Sequence, residues 1–227
     1  PPAPLWRWCA GDMCERCAVE TFILILELAG TMAFAASGAI TALKKGMDLF
    51  GVCILGLTTA VGGGVIRDVI LGNTPPATFL NPIYASVALV TSLVLFLPRI
   101  RHLLMRDQRL YDLSMLILDS LGLGIFTVVG IRIAWRSMAE PPLFLLVFVG
   151  VVTGVGGGVL RDVMAGDTPY IFVKHIYACA SLAGALACAI LWRPAGEVAA
   201  ILTGAGVVVL IRFLSAHYRW NLPRAQD

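Results

Sequence analysis

Apolar residues fall into seven long blocks along the chain, separated by short stretches rich in proline, glycine or charge. Each block runs about 17–25 residues, enough for a helix to cross a hydrocarbon core of about 30 Å. The blocks are continuously apolar and do not alternate with period two, so the pattern predicts membrane-spanning helices and not a barrel. The spans are expected near 19–42, 51–71, 82–98, 111–135, 143–165, 175–192 and 196–214. Their ends carry recognisable breaks: Lys44-Lys45-Gly46, Gly72-Asn73-Thr74-Pro75-Pro76, Pro98, Glu140-Pro141-Pro142 and Trp192-Arg193-Pro194. Residues 1–18 read as a flexible lead-in without a cleavable signal peptide, 99–110 as a basic connecting loop, and 215–227 as a polar tail.

The polar interruptions inside the blocks repeat. Val61-Gly62-Gly63-Gly64-Val65-Ile66-Arg67-Asp68-Val69 in the second span matches Val155-Gly156-Gly157-Gly158-Val159-Leu160-Arg161-Asp162-Val163 in the fifth. The turns that follow also agree, Gly72-Asn73-Thr74-Pro75 against Gly166-Asp167-Thr168-Pro169. The chain is therefore read as an internal duplication, 19–98 and 111–192, with an extra seventh helix in 193–214. Three spans is an odd number, so the second copy enters from the opposite face. The expected fold is all-α and integral to the membrane: two inverted three-helix repeats plus one C-terminal helix.

Composition supports this. The 227 residues are 59% hydrophobic and 14% charged, against roughly 25% charged in soluble domains. With the N-terminus outside, the inner segments hold Lys44, Lys45, Arg99, Arg101, Arg106, Arg109, Lys174, Arg212, Arg219 and Arg224. The outer segments hold only Arg7, Arg16, Arg132, Arg136 and Arg193. This bias places the C-terminus in the cytoplasm of a cell whose plasma (inner) membrane the chain crosses. The net charge of +3 adds little. Of six cysteines, Cys9, Cys14 and Cys17 cluster near the N-terminus, where they read as incidental thiols or, less simply, as part of a metal site.

The glycine triplets admit two readings. A glycine in a helix costs about 1 kcal/mol relative to alanine, so Gly62, Gly63, Gly64 and Gly156, Gly157, Gly158 are expected to break their helices. Freed peptide groups would then meet an ion, helped by the hydroxyls of Thr58, Thr59 and Thr153. The alternative is close helix packing at small residues. Arg67 and Asp68 are neighbours pointing about 100° apart on a helix, so each is expected to find another partner. An unpaired charge at bilayer depth costs at least about 2.5–3.5 kcal/mol. Aligning the halves places Glu27 on Asp119, Gly30 on Gly122, Phe34 on Phe126 and Gly38 on Gly130. The depths suggest the pairs Glu27–Arg67 and Asp119–Arg161, lining or closing a polar path or bolting helices together; Asp162 repeats Asp68. Ser37, Thr41 and Asn73 are weaker candidates for such a path. No residue supplies a nucleophile with a base beside it, and no phosphate-binding loop follows a strand, so neither an enzyme nor a nucleic-acid partner is expected.

Two copies of this glycine–Arg-Asp motif, each followed by a G-x-T-P turn in a seven-span chain, resemble the prokaryotic members of the trimeric intracellular cation (TRIC) channel family. The resemblance covers about 19–214. It implies a homotrimer in the lipid bilayer with a pore inside each protomer, bent at the glycines of spans two and five. Monovalent cations, chiefly K+ and also Na+, would permeate without a cofactor. Related bacterial proteins with the same duplicated domain have been described as possible glycine transporters, which gives the alternative of a secondary transporter for a small amino acid.

Overall fold

The computed structural model describes residues 5–105, 107–173 and 176–218, and every regular element among them is an α-helix. In chain order these are α1 (Leu5–Lys44), α2 (Leu49–Ile70), α3 (Ala77–Leu80), α4 (Ile83–Phe96), α5 (Pro98–Met105), α6 (Gln108–Ser137), α7 (Leu143–Met164), α8 (Tyr170–Val173), α9 (Tyr177–Ala195) and α10 (Glu197–His217). The seven spans are α1, α2 and α4, then α6, α7 and α9, then α10: two inverted three-helix repeats with one extra helix. Six are long and apolar enough to cross a membrane. The other, α4, has 14 residues, about 21 Å at 1.5 Å per residue.

Local chemistry sets the ends. Asp48 caps α2 by accepting from the Gly51 N–H at 2.8 Å, and Asp107 caps α6 by accepting from Arg109 N–H at 2.9 Å. The ends of α2 and α7 are the same device built twice. Gly72 and Gly166 adopt φ +75° and +71°, the left-handed region that glycine enters without a Cβ penalty. Asn73 N–H then donates to the Asp68 carbonyl at 2.8 Å, and Asp167 N–H to the Asp162 carbonyl at 2.9 Å. This is the Schellman closure that satisfies the last carbonyls of each helix.

Two boundaries differ from expectation. The lead-in expected over 1–18 is corrected from Leu5 onward, where the backbone is helical: no proline follows Pro4 before Pro75, and nothing interrupts the helix. The side chains of Cys9 and Cys14 lie outside the described residues, while Cys17 is exposed. The basic stretch 99–110 is not all loop, because Pro98 opens the short helix α5. Proline at a first helical position loses no hydrogen bond.

The larger correction concerns the triplets. Both α2 and α7 run unbroken through Gly62–Gly64 and Gly156–Gly158. Energetics explain why. Opening a helix in hydrocarbon leaves peptide groups unsatisfied at several kcal/mol each, more than the roughly 1 kcal/mol a glycine costs inside it. What the glycines permit is contact. A Cβ on Gly63 would overlap the Thr153 carbonyl oxygen, and one on Gly157 would overlap the Thr59 carbonyl oxygen. These reciprocal contacts make the α2–α7 crossing the centre of the molecule, where the two repeats meet. A cluster around Ile23, Val128, Ile131, Leu146, Cys188 and Ile201 joins α1, α6, α7, α9 and α10 beside it.

Candidate functional site

Each repeat brings the same four polar side chains together: an acid from its first span, the Arg-Asp pair from its second, and a tyrosine from its third. In the first repeat they are Glu27, Arg67, Asp68 and Tyr84; in the second, Asp119, Arg161, Asp162 and Tyr177.

The Arg-Asp neighbours do pair, contrary to expectation. Arg67 Nε donates to Asp68 Oδ1 at 2.8 Å, and Arg161 Nε to Asp162 Oδ1 at 2.8 Å. The three methylenes of arginine let the guanidinium fold around the helix, so 100° between Cβ directions does not keep the charges apart. The other oxygen of each aspartate crosses to the turn beyond. Asp68 Oδ2 accepts from Ala77 N–H at 2.9 Å, and Asp162 Oδ2 from Tyr170 N–H at 2.9 Å. Each aspartate therefore ties its arginine to the first residue of the short helix after the turn.

Beyond this shared core the halves diverge. Around Arg161 the site is sealed. The residue has no exposed surface, and its Nη1 donates to Asp119 Oδ1 at 2.7 Å and to Ser37 Oγ. The Tyr170 ring lies 5.2 Å from the guanidinium carbon. Of the two pairs suggested by depth, Asp119–Arg161 forms. The other does not: Glu27 and Arg67 make no ion pair, because Glu27 accepts instead from the Tyr84 hydroxyl while Asp68 holds Arg67. Glu27 and Arg67 face one another across a cavity of about 110 Å³, lined also by Thr31, Gly64, Thr78, Tyr84 and Phe126.

Phe126, which lines the cavity, has its ring centroid 5.3 Å from that of Phe34. Two of the threonines singled out beside the triplets are satisfied within their own helices: Thr59 Oγ1 donates to the Leu55 carbonyl and Thr153 Oγ1 to the Val149 carbonyl, each at 2.6 Å. Their hydroxyls serve the backbone. Thr58, on the same turn as Thr59, is half-buried and its methyl faces Gly62.

Several site residues escaped sequence reasoning. The tyrosines carried a usable signal, since Ile83-Tyr84-Ala85 repeats as Ile176-Tyr177-Ala178. Arg132 is buried in α6, although assigned to an outer segment. It pairs with Glu20 at 2.8 Å and Glu197 at 2.5 Å, joining α1, α6 and α10. Arg212 of α10 is buried with its guanidinium carbon 4.9 Å from the Tyr177 ring centroid. No repeat alignment reaches it, because α10 has no counterpart.

Comparison with known proteins agrees with this architecture. A family model described as Glycine transporter matches residues 24–99 and 116–193, one segment in each repeat. The UPF0126 inner membrane protein YadS of Escherichia coli (strain K12) is 37% identical over 87% of this chain and 92% of that protein. A UPF0126 membrane protein of Deinococcus radiodurans is 38% identical over 86% and 85%. Among solved structures, a TRIC trimeric intracellular cation channel orthologue from Rhodobacter sphaeroides is 32% identical, with TM-score 0.80 over 88% of this chain and 100% of that one. A prokaryotic TRIC channel in 0.5 M KCl is 27% identical, with TM-score 0.81 over 89% and 100%. Fold and paired sites define the class as a non-enzymatic integral membrane protein of inverted three-helix repeats. The chain belongs to the Glycine transporter (UPF0126) family, prokaryotic members of the TRIC fold.

Proposed function

We propose that the protein is a cation channel with a permeation path inside each protomer. The observation that carries this reading is the charge around the 110 Å³ cavity. Asp68 neutralises Arg67, so Glu27 is the carboxylate left over and the cavity favours cations. An arginine in a cation path is a barrier only while its charge is uncompensated, and both motif arginines are compensated. The path runs from the Glu27 cavity past Phe34 and Phe126 to the Asp119–Arg161 site. It passes beside the α2–α7 crossing, where the glycines bring the two backbones into contact.

The solved relatives are described as cation channels, one of them trimeric, and this likeness supports a homotrimer. The relative from Escherichia coli is described as an inner membrane protein. With the charge bias of the loops, that supports an inner-membrane protein with the N-terminus outside and the Glu27 cavity facing outward. Potassium is the expected main permeant ion. The test is reconstitution into a planar bilayer with potassium chloride as the only salt: the channel reading requires unitary currents.

One observation favours a second reading, a carrier for a small amino acid. Glu27 and Arg67 share one small cavity without bonding each other, so carboxylate and guanidinium are placed to meet the ammonium and carboxylate of a zwitterion. Its volume is that of about three or four water molecules, each occupying about 30 Å³. A carrier gives no unitary current and accumulates labelled glycine in liposomes.

A further inference from the structure

Arg132 stands next to the Glu27 cavity. Val129 and Ile133 of α6 line that cavity, and Arg132 lies at the edge of the same helix face, three residues from one and one from the other. It is 5% exposed and within electrostatic reach of the Tyr84 hydroxyl, which bonds Glu27. A guanidinium keeps its proton at any ordinary pH, so its charge must be answered by its neighbours. Two carboxylates do so: Nη2 donates to Glu20 Oε2 at 2.8 Å and Nε to Glu197 Oε1 at 2.5 Å. Arg136, one turn further along, pairs with Glu20 at 2.8 Å and is half exposed, so water and salt screen it. Two arginines and two glutamates leave this cluster neutral.

That neutrality matters because the cavity itself is poised on one charge. Asp68 cancels Arg67, and Glu27 is left over. With either carboxylate removed from the cluster, the buried Arg132 carries an unanswered positive charge beside the cavity, and the surplus negative charge of Glu27 is offset. We propose that Arg132, through its pairing with Glu20 and Glu197, is a specificity-determining residue of the Glu27 cavity: paired, it leaves the cavity negative and open to cations; unpaired, it turns them away. This deepens the channel reading above and rests on it.

The arrangement belongs to one half only. In the register that puts Glu27 on Asp119, Arg132 falls on Ile40, which packs with Tyr111 and Met115. Glu197 opens α10, the helix without a counterpart. The seventh span therefore supplies a carboxylate that the inverted repeats do not provide.

The test reads the charge of the cavity through a thiol placed in it. Thr78 lines the cavity, and Thr78→Cys in the full chain is treated at low ionic strength with a cationic (trimethylammonium) or an anionic (sulfonate) methanethiosulfonate. Mass spectrometry of the labelled peptide keeps the other cysteines out of the count. Adding Glu197→Gln is expected to lower the cationic-to-anionic rate ratio about tenfold, the order expected of a unit charge about 10 Å away at an effective dielectric of about 40. Adding Arg132→Gln to that chain is expected to restore the ratio. Glu20→Gln is expected to act in the same direction as Glu197→Gln and serves if the latter does not fold. A ratio that neither glutamate variant changes overturns the proposal. So does a fall that Arg132→Gln does not reverse, the result expected if the cluster only fastens α10. The labelling needs no current, so the two failures separate: a wild type without unitary potassium current sinks the channel reading, and an unmoved ratio sinks this inference alone.

Discussion

Gly63 lies directly against the Thr153 carbonyl oxygen, and Gly157 against that of Thr59, so the two motif helices touch backbone to backbone. No side chain fits there. The space around Gly206 on α10 is empty by contrast, with no atom within 4 Å of an added Cβ. Gly63→Ala and Gly157→Ala are expected to cost about 1–3 kcal/mol or more through overpacking. Gly206→Ala is expected to be neutral or to stabilise by up to about 1 kcal/mol from helix propensity. Thermal unfolding in detergent checks this; equal melting temperatures for all three would contradict the packing role.

The motif aspartates each bind an arginine and a turn N–H. Asp68→Asn leaves Arg67 without a carboxylate, since Glu27 is held by Tyr84. Asp162→Asn leaves Arg161 with Asp119. Breaking a buried pair costs about 3–5 kcal/mol, so both variants are expected to lower the melting temperature, Asp68→Asn the more. The reverse order would mean that Glu27 moves to Arg67.

The spans followed from apolar block length, because the bilayer sets that length physically. The inverted duplication followed from the repeated glycine–Arg-Asp stretch and an odd number of spans. The Asp119–Arg161 pair followed from equal depth. The unbroken triplets did not, because helix propensity in water omits the cost of an open peptide group in hydrocarbon. The Arg-Asp pairing was missed because Cβ directions say little about where a long side chain ends. The difference between the two sites depends on Ser37 against Val129 and Tyr170 against Ala77, and their meaning appears only once the arginines are placed.

Arg132 is buried between Glu20 and Glu197, and it fastens α10 to the repeats. Glu197→Gln is expected to lower stability by about 1–3 kcal/mol, the usual cost of weakening a hydrogen bond to a buried charge. Limited proteolysis at the α9–α10 corner, around Gly196, is the sensitive readout. Unchanged cleavage there would show that Glu20 alone suffices.

Lys45 and Asp167 form a bridge of 2.5 Å between the end of α1 and the turn after α7, with side chains 37% and 47% exposed. An exposed pair contributes about 0–1 kcal/mol. Lys45→Ala is therefore expected to leave the melting temperature nearly unchanged. A large fall would give this link a structural weight that its exposure does not suggest.

The most direct measurement is planar-bilayer recording of the wild type and Glu27→Gln under a potassium chloride gradient. The expected result is unitary current reversing toward the potassium equilibrium potential. In Glu27→Gln that current should be several-fold smaller at about 0.1 M salt and recover toward wild type at about 1 M, where the Debye length falls from about 10 Å to about 3 Å. A current reversing toward the chloride potential, or no current while liposomes accumulate labelled glycine, would contradict the account.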